Sequence, residues 1–237
     1  MVIRDSDKTF IFSLGGSLIV PNGGIDFKFL KKFNLFIRKK IKSADMRFFI
    51  VCGGGATCRL YQEAAAKASG KKISDEDLDW LGIHSTRLNS HLLRTIFQDI
   101  AYERLIKHYD LIDKKAVEFP VVIAAGWKPG WSTDFDAVLL AEDYGIKTVV
   151  NLSNTDGIYD KDPHHYPDAK LLSKIGWDEV IGIVGKKWKP GLNKPFDPIA
   201  AQKAKEIGLK VVNCHGRDFK NLDNILEGRK FVGTVIK

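Results

Sequence analysis

The chain has 237 residues, of which 44% are hydrophobic and 28% are charged. This balance is typical of a globular protein that buries a substantial core, and it excludes a chain that is disordered throughout. The formal net charge of +8 favours an anionic partner, but its sign does not distinguish a nucleotide from a nucleic acid or an acidic surface. The length suits one large α/β domain, which we expect to span residues 1–237.

Cysteine usage and the start of the chain indicate the compartment. Cys52, Cys58 and Cys214 form no Cys-x-x-Cys pair and are odd in number, so neither a disulfide framework nor a zinc site is predicted. His84 and His91 lack a neighbouring carboxylate pair, and no protein-ligated metal site is expected. The charged start and the lack of long apolar runs predict a cytoplasmic protein without a membrane partner. No basic stripe interleaved with aromatic residues supports nucleic-acid binding.

Strand-like apolar runs alternate with helix-like stretches along the chain. The predicted strands are residues 10–14, 48–52, 121–124, 148–152 and 210–213, and the predicted helices are residues 26–43, 57–69, 134–144 and 198–207. Leucines and isoleucines at spacings of three, four and seven predict two further helices, with no strand, over residues 75–107. The pattern predicts a three-layer αβα sandwich around a central, mostly parallel sheet.

Glycine-rich loops follow three of the predicted strands and precede helices. They are Gly15-Gly16-Ser17, Gly53-Gly54-Gly55 and the segment 126–134. Open α/β sheets bind ligands at the carboxyl ends of their strands, where glycine loops and helix N-termini accept phosphate, and we expect these loops to do so. An ordinary turn also explains the first loop, and helix capping explains part of the third. The loops match neither the P-loop nor the Gly-x-Gly-x-x-Gly pattern.

Five motifs carry a resemblance that covers nearly the whole chain. They are residues 14–18, residues 51–55 with Arg59, residues 129–134, residues 154–163 and residues 196–201. In these motifs the chain resembles the amino acid kinase superfamily, and within it the uridylate kinases of archaeal type. The resemblance implies transfer of the γ-phosphoryl group of ATP to UMP, with Mg²⁺ held mainly through ATP. It also implies a homo-oligomer, a hexamer built as a trimer of dimers.

The resemblance assigns the two nucleotides to different residues. An acceptor-binding part of about residues 1–133 precedes an ATP-binding part of about residues 134–237. The implied ATP-binding residues are Gly16, Ser17, Gly55, Arg59, Ser153, Asp156, Tyr159 and Asp162. The implied UMP-binding residues are Gly54, Asp79, Trp127, Lys128, Pro129, Gly130, Trp131, Ser132 and Thr133. By residue type alone, Asp156-Gly157 is also an ordinary turn dipeptide, and Trp127 and Trp131 are also suited to packing their loop.

The predicted catalytic residues are Arg59, Lys194 and Asp197. Many superfamily members carry a lysine at the position of Ser13, so in this chain the cation must come from elsewhere. Lys194 is the candidate. The alternative is that Lys194 is only a solvated lysine in a loop. A phosphate acceptor is already ionised at neutral pH, so no general base is needed. The alternatives are a related kinase acting on isopentenyl phosphate, carbamate or an amino acid, and a non-catalytic binding protein of the molybdenum-storage type.

Overall fold

The fold is built on one seven-stranded sheet. A computed structural model describes residues 8–22, 24–163, 165–185 and 194–237. The strands are β1 (Thr9–Leu14), β2 (Arg47–Cys52), β3 (Val121–Ala124), β4 (Thr148–Ser153), β5 (Lys174–Ile175), β6 (Lys210–His215) and β7 (Thr234–Ile236). They lie in the order β3-β2-β1-β4-β6-β7-β5, and every pairing is parallel except that of β6 with β7.

Helices cover both faces of this sheet. They are α1 (Gly16–Ile19), α2 (Phe27–Ala44), α3 (Gly55–Ser69), α4 (Asp75–Ile96), α5 (Thr133–Tyr144), α6 (Trp177–Val184), α7 (Pro198–Glu206) and α8 (Phe219–Leu226). Along β1, Ile11 belongs to one hydrophobic core, whereas Phe10 and Phe12 belong to the other. Side chains alternate between the faces of a strand, so burial on both faces produces the continuous apolar runs of the sequence. The three-layer αβα prediction is confirmed.

The segment 75–107 departs from its prediction of two helices. A single helix, α4, ends at Ile96, and the chain then runs beside β3. Ala101 bridges Val121, Ile106 bridges Ala124, and the Tyr102 N–H donates to the Val121 carbonyl at 2.9 Å. These hydrogen bonds satisfy backbone groups on the outer edge of β3, a requirement that helical spacing in the sequence does not reveal.

Several short elements were not predicted, namely α1, β5, α6, α8 and β7. Two- and three-residue strands are too short to show a periodicity of their own, so only their pairing with β6 and with each other defines them. The stretch 185–195 is rich in glycine, proline and lysine, which predicts a loop, and it falls largely on residues 186–193, which lie outside the described residues. Among the described helices, none has both the length and the apolar character needed to cross a bilayer.

Candidate active site

The first two glycine loops pack against each other, backbone to backbone. A Cβ atom added to Gly16 would lie 2.1 Å from the Gly55 nitrogen, and one added to Gly53 would lie 2.5 Å from the Gly16 nitrogen. Gly55 has a φ of 64°, in the left-handed region that favours glycine. The structure therefore gives these glycines a packing reason that the sequence did not show. Their predicted phosphate contacts stay predictions.

Polar side chains of α4 hold the second and third loops. The Asn89 amide donates to the carbonyls of Gly53 at 2.8 Å and Gly54 at 3.1 Å. The Arg87 guanidinium donates to the carbonyls of Gly126 at 3.2 Å and Trp127 at 3.0 Å. Buried loop carbonyls need such partners, and α4 supplies them from one side. Sequence analysis missed both residues, because polar side chains in the middle of a helix resemble an ordinary solvated face.

Asp79 lies on the same helix and holds the third loop at a second point. Its Oδ2 atom accepts a hydrogen bond of 2.7 Å from the Gly130 N–H. Burial raises the pKa of this carboxyl, while the Gly130 hydrogen bond lowers it. The described contacts use one carboxylate oxygen, which leaves Oδ1 for a ligand hydroxyl. The prediction that Asp79 binds a ribose is consistent with this free acceptor oxygen, and it stays a prediction.

The third loop carries an aromatic cluster. The Trp127 and Trp131 rings meet edge to face at 4.9 Å between centroids, and Trp131 packs in the same way on Phe135 at 4.7 Å. Trp127 also packs on Tyr109 at 5.9 Å and belongs to the rim of the core. The Lys128 ammonium lies 4.3 Å from the Trp127 centroid and 4.2 Å from that of Trp131, which is cation–π geometry. Packing is thus one role of both tryptophans.

A cavity of about 490 Å³ opens at the carboxyl ends of β1 and β4. Its wall is formed by the first loop, the start of α5 and the segment after β4. Of the predicted ATP-binding and catalytic residues, Ser17, Ser153, Tyr159, Asp162 and Lys194 line it. The predicted ligands Gly16, Gly55, Arg59 and Asp156 are not among its lining residues, nor is Asp197.

Asp134 occupies the floor of this cavity and collects hydrogen bonds from several elements. Its Oδ1 accepts from the Ser13 hydroxyl at 2.8 Å and from the Asn151 amide at 3.4 Å. Its Oδ2 accepts from the Asp197 N–H at 3.3 Å. Burial raises the pKa of Asp134 to about 6, against the lowering effect of the Ser13 hydrogen bond. The sequence suggested only helix capping for Asp134, although it lies within one of the motifs that carry the resemblance.

Two further carboxyl groups lie near Asp134. Asp197 caps α7, since its Oδ1 accepts a 2.6 Å hydrogen bond from the Ala200 N–H. Asp136 is fully buried, and neither of its carboxylate oxygens has a hydrogen-bond partner within the described structure. Burial raises the pKa of Asp136 well above its ordinary value, with the negative charges of Asp134 and Asp197 adding to the rise. No cluster of three or more metal-ligating side chains occurs across the described ranges.

The predicted cations lie in different places. Lys194 is exposed and lines the cavity. Lys161 also lines it, and its ammonium pairs with Asp168 at 2.6 Å. Arg59 is exposed on α3, and its guanidinium donates to Asn22 Oδ1 at 3.3 Å. The catalytic roles of Arg59, Lys194 and Asp197 therefore stay predictions, with Lys194 the one that lines the cavity.

Comparisons with known proteins agree across nearly the whole chain. The model of the amino acid kinase family matches residues 8–213. Uridylate kinase of Pyrococcus abyssi is 34% identical over 228 residues, which are 96% of this chain and 98% of that protein. The crystal structure of uridylate kinase from Archaeoglobus fulgidus has a TM-score of 0.81 at 28% identity, covering 96% of this chain and 99% of that one. UMP kinase from Bacillus anthracis, at 21% identity and a TM-score of 0.76, shares the fold over 97% of this chain and 96% of its own.

Proposed function

Because the chain belongs to the amino acid kinase family, and within it to the uridylate kinases, we propose that it transfers the γ-phosphoryl group of ATP to UMP, giving ADP and UDP. The observation that carries the proposal is one continuous sheet edge. The cavity lies over β1 and β4, and the second and third loops follow the neighbouring strands β2 and β3. Thr133 and Asp134 belong both to the third loop and to the cavity wall. ATP in the cavity and UMP beside that loop would therefore meet at Asp134.

We assign the phosphates of ATP to the end of the cavity formed by Ser17 and the N-terminus of α5. Backbone N–H groups at helix N-termini favour anions, and α5 starts at Thr133 on the cavity wall. Tyr159 and Asp162 then lie toward the nucleoside. This orientation brings the γ-phosphoryl group to the side of the cavity that adjoins the second and third loops.

UMP is assigned to the space beside α4 and the third loop. Gly54 and the loop from Trp127 to Thr133 would hold the nucleotide, and Asp79 would accept a hydrogen bond from a ribose hydroxyl through its remaining oxygen. The acceptor phosphate needs in-line placement against the γ-phosphoryl group rather than deprotonation by a base. The glycine loops allow the two chains of phosphate to approach closely, since they present no side chains at the meeting point.

Lys194 is the cation that we assign to the migrating phosphoryl group. It lines the same cavity as Ser13, which stands where many superfamily members have a lysine. Arg59 and Asp197 remain proposed contributors. Mg²⁺ suits the oxygen donors at this end, the Asp134 carboxylate and the hydroxyls of Ser13 and Ser17, all of which line the cavity. When bound with ATP, the ion supplies neutralisation of the phosphate charge.

The remaining expectations stand as part of the same proposal. The acceptor half of about residues 1–133 and the ATP half of about residues 134–237 form one domain in the cytoplasm. The enzyme acts as a homo-oligomer, a hexamer built as a trimer of dimers, with neither a nucleic acid nor a membrane as a partner.

A coupled assay of ADP release tests this proposal. Purified protein, ATP and Mg²⁺ are mixed in turn with UMP, CMP, AMP and isopentenyl phosphate, and we expect the highest kcat/KM with UMP. A lipid phosphate turned over at least as well as UMP would identify a different kinase of the family. ATP binding without release of ADP, with any of the four acceptors, would identify a binding protein and overturn the proposal.

A further inference from the structure

The Lys128 ammonium is held in an unusual way for an exposed lysine. It lies 4.3 Å and 4.2 Å from the centroids of the Trp127 and Trp131 rings. Its side chain is exposed to solvent, and it forms no hydrogen bond or ion pair with any described part of the chain. Three N–H donors of a fixed cation are therefore available to a ligand that carries acceptor oxygens.

The loop that carries this cation is held at several points. Arg87 binds the Trp127 carbonyl at 3.0 Å, and Asp79 binds the Gly130 N–H at 2.7 Å. Trp127 packs against Tyr109, and Trp131 against Phe135. An exposed lysine ordinarily samples many rotamers, and fixing it costs conformational entropy. Here the aromatic rings and the anchored backbone already restrict the side chain, so binding a ligand loses less conformational entropy.

The position of Lys128 within the loop selects the part of the acceptor that it reaches. The end of the loop, at Thr133 and Asp134, lines the ATP cavity, and the acceptor phosphate must lie there to receive the γ-phosphoryl group. Lys128 precedes Thr133 by five residues and follows Trp127, whose carbonyl is held by Arg87 of α4. The base of the acceptor, which is opposite its phosphate, therefore falls on the side of Lys128, next to flat indole rings suited to contact with a base.

On this basis, which rests on the proposed function, we propose that Lys128 selects the base of the acceptor nucleotide. Its ammonium, held between Trp127 and Trp131, donates a hydrogen bond to the carbonyl oxygen of uracil that cytosine replaces with an amino group. An ammonium is a donor only, so the amino group that cytosine carries in place of one carbonyl offers it no acceptor and opposes it with a second donor. Lys128 thus favours UMP over CMP by pairing with one base and rejecting the other.

Steady-state kinetics with UMP and CMP, at saturating ATP, test this inference. The wild type is expected to prefer UMP. Lys128→Met, which keeps the length and apolar character of the side chain, should lower the ratio of kcat/KM for UMP to that for CMP by about tenfold to a hundredfold, since a charge-assisted hydrogen bond is lost. Lys128→Arg retains a donor-only cation that stacks on indole, and it should keep the preference for UMP.

Lys67→Met is the matched control. Lys67 is 75% exposed on α3 and pairs with Glu63 on the same helix, so its substitution should leave the ratio unchanged. An unchanged ratio in Lys128→Met, an equal loss for UMP and CMP, or a wild type without preference would each overturn the inference while UMP kinase activity stood. A wild type that phosphorylates no nucleoside monophosphate would instead overturn the proposed function. Matching thermal melting curves verify that the variants are folded.

Discussion

The Ser13 hydroxyl donates a 2.8 Å hydrogen bond to Oδ1 of Asp134, across a sequence separation of 121 residues. In many members of the superfamily a lysine occupies the position of Ser13. Here a neutral hydroxyl takes its place, so Asp134 lies at the cavity floor without a cation in hydrogen-bond contact among the described residues. An uncompensated carboxylate in a partly desolvated site attracts an incoming cation, which fits a metal ion arriving with ATP or the exposed Lys194.

The first prediction concerns the charge of Asp134. Asp134→Asn keeps the shape but removes the charge that holds a cation, and we expect kcat to fall on the order of a hundredfold. The pKa of Asp134 is raised to about 6, so the wild type should lose kcat as the pH falls below about 6, where the carboxyl gains a proton. Pre-steady-state and steady-state rates between about pH 5 and pH 8 measure this dependence.

The same pH range contains the second ionisation of a phosphate monoester, at a pKa of about 6. The Asn variant separates the two effects, because any acid limb that it retains belongs to the substrate. An Asn variant with the full wild-type acid limb and a nearly wild-type kcat would show that Asp134 is only a structural acceptor for Ser13 and Asn151.

Part of the fold and part of the candidate site were predictable from the sequence. Apolar runs predicted the strands that end at the three loops, because burial on both faces leaves a clear pattern. The partners of Asp134 were not predictable, since Ser13 and Asn151 lie on separate strands and meet only through the parallel register of β1 with β4. The support from Asn89 was hidden for a similar reason. The role of Asn89 depends on which loop α4 packs against, and no local sequence pattern predicts that contact.

The second prediction concerns the link between Asp79 and the third loop. Asp79→Asn removes the charge and weakens the hydrogen bond from the Gly130 N–H, so KM for UMP should rise by about tenfold or more, with a smaller change in KM for ATP. Steady-state kinetics with each nucleotide varied in turn give both constants. The nearby Asp75→Asn variant, changed at the start of the same helix, is the control and should leave both constants near wild type.

Equal rises in both KM values would contradict a role on the acceptor side. An Asp79→Asn enzyme with an unchanged KM for UMP would remove the proposed ribose contact while leaving the fold and the chemistry intact.

The third prediction concerns the interlocked glycines. Gly16→Ala places a Cβ 2.1 Å from the Gly55 nitrogen, so one loop must move, and we expect a loss of about 2–4 kcal/mol in the free energy of unfolding, with loss of activity. Gly182→Ala is the matched control, because a Cβ there meets nothing within 4 Å and the residue lies in α6. The control should be neutral or stabilising by up to about 1 kcal/mol, since alanine favours a helix.

Urea unfolding of both variants measures these differences, provided that each shows a single cooperative transition with the slope of the wild type. A Gly16→Ala protein as stable as the wild type would mean that the two loops separate easily. In that event the close approach of their backbones would not be a fixed property of the site.

The last prediction follows from Asp136, whose buried carboxyl has no hydrogen-bond partner in the described structure. Its pKa in the folded protein is raised well above the ordinary value, first by burial, and the folded state therefore keeps a proton that the unfolded chain releases near pH 4. Since the folded state binds more protons, stability falls as the pH rises from about 4 toward the folded pKa, by about 1.4 kcal/mol per pH unit from this group. Asp136→Asn cannot ionise, so it should flatten that slope and be more stable than the wild type at pH 8, as measured by urea unfolding at several pH values.

Asp178→Asn, changed at a side chain that is 82% exposed, should keep the wild-type slope. If Asp136→Asn kept that slope too, or lost stability at pH 8, the carboxyl would have to be ionised and paired in solution, and Arg87, whose positive charge lowers its pKa, would be the partner to test next.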